Sequence, residues 1–118
     1  MKKSITRPLT YTERTSVAQS ILDKLRDTPN STFNSHELSF YIEVETGFRV
    51  YGPILRKVIN YLRQHSHPIT STQKGYSYST IENDIDKTIE SLESRIASMQ
   101  EAIKGLKQSK RILAIDFI

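Results

Sequence analysis

Apolar positions in this chain recur at two different spacings. Val17, Ala18, Ile21, Leu22 and Leu25 stand three and four apart, which places them on one face of a helix. Thr12 or a near neighbour is the expected cap, and Thr28-Pro29-Asn30-Ser31 breaks the pattern. Thr32-Phe33-Asn34 is read as a minimal strand. Ser35 then opens a second helix carrying Leu38, Phe40, Tyr41, Ile42 and Val44, stopped near Thr46-Gly47, where glycine permits a left-handed turn. The aromatic and β-branched content of residues 39–44 leaves a strand as the alternative. After a turn through Phe48 to Gly52, Pro53 sits where helices favour proline, and Ile54, Leu55, Val58, Ile59 and Leu62 give a third helix its buried face. Pro68 ends that region. Ile69 to Thr72 and Tyr76 to Ser79 read as two strands joined by a Gln73-Lys74-Gly75 turn, with Tyr76 and Tyr78 alternating onto the core face.

Beyond the hairpin the spacing changes. Ser79-Thr80-Ile81-Glu82 matches a capping box for a last helix, in which apolar residues alternate at four and three. Setting Ile89, Ile96 and Ile103 at a places Ile85, Leu92, Met99 and Leu106 at d, the seam of a coiled coil, and the register continues to Leu113 and Phe117. Branched residues at a with Leu or Met at d favour a parallel homodimer. The e and g positions (Thr88, Glu93, Arg95, Gln100) give no clear pairing code, so an antiparallel pair or a higher oligomer stays open. A helix of about thirty residues spans roughly 45 Å and is expected to project from so small a head. The apolar run Ile112 to Ile118, interrupted by Asp116, is expected to be buried in the coil or against a protein partner.

Composition narrows the class. With 118 residues there is room for one small domain and an appended element, which argues against a large catalytic fold. The divisions read from the pattern are a flexible N-terminal arm (1–11), a globular domain (12–79) and an oligomerisation helix with an apolar tail (80–118). The absence of cysteine excludes disulfides, thiolate zinc sites and cysteine nucleophiles, and fits a reducing compartment. No run approaches the roughly 18 apolar residues of a membrane span, and the basic N-terminus lacks the apolar core of a signal peptide, so a cytoplasmic protein is expected. The net charge of +4 is unevenly spread. Residues 1–75 carry eleven Lys/Arg against six Asp/Glu, and residues 76–118 carry six against seven. The basic excess therefore belongs to the head, where an electrostatic footprint for nucleic acid would lie. Lys2, Lys3 and Arg7 extend it along the arm.

The run Tyr51-Gly52-Pro53-Ile54-Leu55-Arg56-Lys57-Val58-Ile59-Asn60-Tyr61-Leu62-Arg63, with Pro68-Ile69-Thr70-Ser71 and Lys74-Gly75-Tyr76-Ser77-Tyr78, resembles the recognition helix and wing of winged helix-turn-helix domains of the biotin-repressor and DeoR type. The two-part layout also resembles small uncharacterised bacteriophage and prophage proteins. The resemblance implies a mainly α fold with a small β-hairpin wing and a long C-terminal coiled-coil helix. It implies that Arg56, Lys57, Asn60 and Arg63 contact double-stranded DNA, with Gln73, Lys74 and Gly75 at the wing tip. The bulky Phe48–Gly52 turn and the acidic second helix (Glu37, Glu43, Glu45) depart from the family pattern.

Two functions follow as expectations. One is double-stranded DNA binding by a coiled-coil dimer, as a transcriptional regulator or a phage DNA-processing accessory. The other is an assembly adaptor whose head binds protein. His36, His65 and His67 lack the partners of a metal site, no metal or cofactor is expected, and no nucleophile, phosphate loop or paired carboxylate marks an enzyme.

Overall fold

A computed structural model describes residues 3–116, without the side chains of Lys3 and Asp116. The order of elements is β1 (Lys3–Ile5), α1 (Tyr11–Asp27), α2 (Ser35–Thr46), β2 (Phe48–Val50), α3 (Gly52–Gln64), β3 (Ile69–Thr72), β4 (Gly75–Tyr78) and α4 (Glu82–Asp116). The chain is thus mainly helical, with a two-stranded antiparallel hairpin and a long C-terminal helix. It divides between Ile85 and Asp86 into two compact units.

In the first unit, local chemistry sets each helix start. Thr10, two residues earlier than the expected Thr12, caps α1 in a reciprocal box: Glu13 N–H donates to Thr10 Oγ1 (3.2 Å) and Thr10 N–H donates to Glu13 Oε1 (2.9 Å). α2 repeats the device one residue before the expected Ser35, with Asn34 and Glu37 as the reciprocal pair. Gly47, at φ +77°, ends α2 as the sequence predicts. Residues 39–44 are helical, because Leu38 and Ile42, four apart, both reach the core. α3 carries proline in its first turn and buries Leu55, Val58, Ile59 and Leu62. These side chains meet Val17, Ile21 and Leu25 of α1 and Leu38 and Ile42 of α2 in one apolar cluster, to which Val50 and Ile69 also belong.

The hairpin pairs Ile69 with Tyr78 and Thr72 with Gly75, leaving Gln73 and Lys74 as the turn. It is tied to the α1–α2 connection. Phe33 and Tyr76 exchange backbone hydrogen bonds at 2.8 Å, so the strand expected at 32–34 is reduced to a single bridge. Asn30 donates its backbone N–H to the Tyr78 carbonyl, and its side chain bonds the Thr80 hydroxyl and backbone N–H.

Other expectations are also met by the structure with differences. The N-terminal segment is not a free arm from Lys3 onward: β1 pairs in parallel with β2, and Ile5 and Val50, opposite each other, are both buried. A three-residue strand with one apolar side chain shows no periodicity, which is why it was not legible. For the same reason the turn expected at 48–52 contains β2. Tyr76 and Tyr78 pack against the core as expected and are half-buried, while Ser77 between them is buried as well and bonds the Thr32 hydroxyl at 3.0 Å. Finally, Ser79 accepts from Ile81 N–H (3.1 Å), and α4 begins at Glu82. The N–H groups of Ser79 and Thr80 are already bonded to Pro68 and Asn30, which holds both residues outside the helix.

The second unit is helix α4 from Asp86 onward. Its seam residues Ile89, Ile96, Met99, Ile103 and Leu106 are each about half exposed or more within one chain, and Leu92 is half-buried. Phe117 and Ile118, the end of the apolar tail, lie outside the described residues, as does Lys2.

Candidate nucleic-acid interface

The buried stripe of α3 fixes what its other side presents. At 3.6 residues per turn, Lys57, Asn60 and Gln64 line up opposite Leu55, Val58, Ile59 and Leu62, with Arg56 on the flank. Arg56, Lys57, Asn60 and Gln64 are all exposed, as are Gln73 and Lys74 at the hairpin turn.

Two of the expected contacts have other work. Arg63 is half-buried: its Nε donates to the Ile69 carbonyl (2.7 Å) and its Nη2 to Ser71 Oγ (3.1 Å), which pins α3 to β3. The helical spacing that places Arg63 near Arg56 also turns it toward the following strand, and the sequence pattern, which shows that strand at Ile69 to Thr72, does not show that it packs beside Arg63. Gly75 opens β4 rather than forming the tip. Its φ is +136°, and a Cβ there would stand 2.2 Å from the Phe33 carbonyl oxygen, so its smallness lets the hairpin lie against the α1–α2 connection.

The remaining cations of the first unit divide cleanly. Arg7 grips Glu13 with both terminal nitrogens, at 2.7 and 2.9 Å. The hydrogen bond from Arg7, followed by that from the Thr10 N–H, pulls the Glu13 carboxyl down to about 2. Arg7 is therefore held in the fold and is not a reaching arm residue. Arg49 pairs with Glu43 (3.1 Å). Arg14 stacks 4.4 Å from the centre of the Tyr61 ring, Lys24 lies 4.9 Å over Phe33, and Arg26 lies 5.6 Å over Tyr78. Among the described side chains of this unit, the Lys and Arg without a hydrogen bond, ion pair or ring contact are Arg56, Lys57 and Lys74. These are two residues of the exposed α3 face and one at the hairpin turn.

Beside that face runs a groove of about 310 Å³, between the Pro8-Leu9 segment and α3, lined by Ile54, Val58 and Tyr61 and by the polar Lys57, Asn60 and Gln64. Arg14 also lines it. The sequence pattern does not reveal this groove, because only the tied-down N-terminal segment brings Pro8, Leu9 and Arg14 alongside α3. Gln64 was visible as a polar position of the third helix, one turn beyond Asn60.

Other chemistry is sparse. His65 stacks on Tyr61 with ring centres 4.3 Å apart and its Nδ1 lies 2.9 Å from the Tyr61 carbonyl oxygen. His67 stands 6.3 Å from Tyr78. Among the described residues no group of three His, Asp or Glu is placed to hold a metal ion, and no helix is long and apolar enough to cross a membrane. No family model, curated protein or solved structure matches this chain.

Proposed function

We propose that this chain is a double-stranded DNA-binding protein of the winged-helix kind. In this reading α3 enters the major groove, the β3–β4 turn rests on the backbone or minor groove, and two copies join through α4. The reading is carried by the distribution of unengaged cations. Among the described side chains of the first unit, six Lys and Arg are held by carboxylates, carbonyls or rings, while Arg56, Lys57 and Lys74 stand ready for an external anion on α3 and at the hairpin turn. A phosphate backbone supplies such anions, and Arg56, Asn60 and Gln64 have the donor geometry to read base edges. Arg63 and Gly75 then serve by fixing the angle between helix and hairpin. The C-terminal coil raises affinity by presenting two modules together. A transcriptional regulator or a phage DNA-processing accessory is the role this architecture serves.

Fluorescence anisotropy with a random duplex tests the reading. Binding should weaken steeply with salt, and a joint Arg56→Ala and Lys57→Ala change should weaken it further without altering the melting temperature.

One observation favours a different partner. Phe40 and Val44, one turn apart on α2, are 66% and 64% exposed, an apolar pair suited to a protein surface. If duplex binding is absent, an adaptor that docks protein through α2 is the better account. Pull-down with Phe40→Asp as control would then follow.

A further inference from the structure

The a and d positions of α4 taken alone favour a parallel pair, but the charges along the helix oppose it. Residues 82–93 contain Glu82, Asp84, Asp86, Glu90 and Glu93 against Lys87, a net −4. Residues 104–111 contain Lys104, Lys107, Lys110 and Arg111 with no acid, a net +4. A parallel pair would set each of these blocks beside its own copy. It would also bring Lys110 against Lys110 at an a layer inside the seam, where unpaired like charges are costly.

We propose that the second unit pairs antiparallel with a second copy of this chain, Ile89 opposite Leu106, Leu92 opposite Ile103 and Ile96 opposite Met99. The proposal rests on the reading that α4 forms a two-stranded coil, and it adds the orientation. In this register every apolar seam residue from Ile89 to Leu106 meets an apolar residue of the other copy. A branched a residue still packs on Leu or Met, so the preference that favours a parallel coil loses little. Lys110 leaves its like-charged neighbour and comes beside Ile85, flanked by Asp84 and Asp86 of the second copy. Lys107, at e, faces the e positions Asp86 and Glu93 of the second copy, acidic on both sides. The backbone dipoles of the two helices also run opposed. One like-charge approach remains, Arg95 with its counterpart at the solvent rim, where screening is strongest.

The chain contains no cysteine, so introduced thiols report alone. Full-length Ile89→Cys, Leu106→Cys and Lys110→Cys variants are annealed singly, and the first two also as a mixture, in a glutathione redox buffer and run on non-reducing gels. In the proposed register like positions lie far apart, roughly 25 Å for residues 89 and 106 and roughly 37 Å for residue 110. The expected result is a covalent dimer from the Ile89→Cys and Leu106→Cys mixture, with none from any single variant. Self-crosslinking of Lys110→Cys would overturn the proposal in favour of a parallel coil, and failure of the mixture to crosslink while the chain sediments as a dimer would overturn the register. A parent chain that sediments as a monomer at tens of micromolar would remove the coil itself, an outcome distinct from the other two.

Discussion

Glu13 shows how much one residue joins. Its backbone N–H donates to the capping Thr10 hydroxyl, and its carboxylate accepts from the Thr10 N–H and holds Arg7, so it fastens the segment between β1 and α1 to the helix start. The carboxyl, drawn down to about 2 from an ordinary 4.5, favours the folded state when ionised. That contribution is complete above about pH 4.5 and is lost as the pH falls toward 2. The melting temperature of Glu13→Gln should therefore lie furthest below the parent above pH 4.5, with the gap narrowing toward pH 2; a gap constant with pH would contradict the assignment. Gly75 sits at the other extreme of chemistry. Gly75→Ala adds a Cβ into the Phe33 backbone at a positive φ and should cost on the order of 2 kcal/mol or more, visible as a clear fall in melting temperature. If Gly75 were instead a surface contact at the wing tip, the variant would melt normally and bind duplex less well.

At the level of elements, α3 and the hairpin share the work between residues that look alike in sequence. Arg56 and Arg63 lie two turns apart on the same flank of α3, and the packing of β3 separates them. Arg63→Ala should remove charge-assisted bonds to Ile69 and Ser71 worth about 1.5–3 kcal/mol, lowering the melting temperature by roughly 4–8 °C per kcal/mol in a domain of this size. Arg56→Ala should leave melting unchanged. Differential scanning fluorimetry distinguishes the two, and equal melting of both variants would contradict the clamp.

The same contrast explains what the sequence made legible. α1, α3 and α4 were visible because their apolar residues repeat at 3.6 or 3.5 over many positions, whereas the aromatic and β-branched run of α2 left a strand open and only the burial of Leu38 and Ile42 decides for the helix. The hairpin was visible from turn chemistry. β1 and β2 were not, since three residues hold no period and their pairing joins segments more than forty residues apart. The exposed face of α3 could be read from Leu55, Val58, Ile59 and Leu62, whereas the engagement of Arg7, Arg14 and Arg63 depends on tertiary neighbours that no local pattern records.

In the proposed assembly of the whole molecule, a module with few unengaged cations is joined to a second copy through the exposed apolar seam of α4. Ile96→Lys places a charge in each copy at the centre of that seam, where its burial is costly. Sedimentation should show a monomer, circular dichroism should retain the cooperative melt of the first unit, and apparent duplex affinity should fall because the second module no longer acts at high effective concentration. A dimer that persists unchanged would contradict the seam.

Counterion release tests whether Arg56, Lys57 and Lys74 form the proposed phosphate-contacting surface. Each neutralised phosphate contributes about 0.9 to the slope of log affinity against log salt. The parent and the Arg56→Ala, Lys57→Ala, Lys74→Ala triple variant should be titrated with one duplex from about 50 to 200 mM salt. The account predicts a steep parent slope that the triple variant reduces by about 2 to 3 for each bound head, at unchanged melting temperature. Equal slopes for the two proteins, or a parent affinity indifferent to salt, would contradict it.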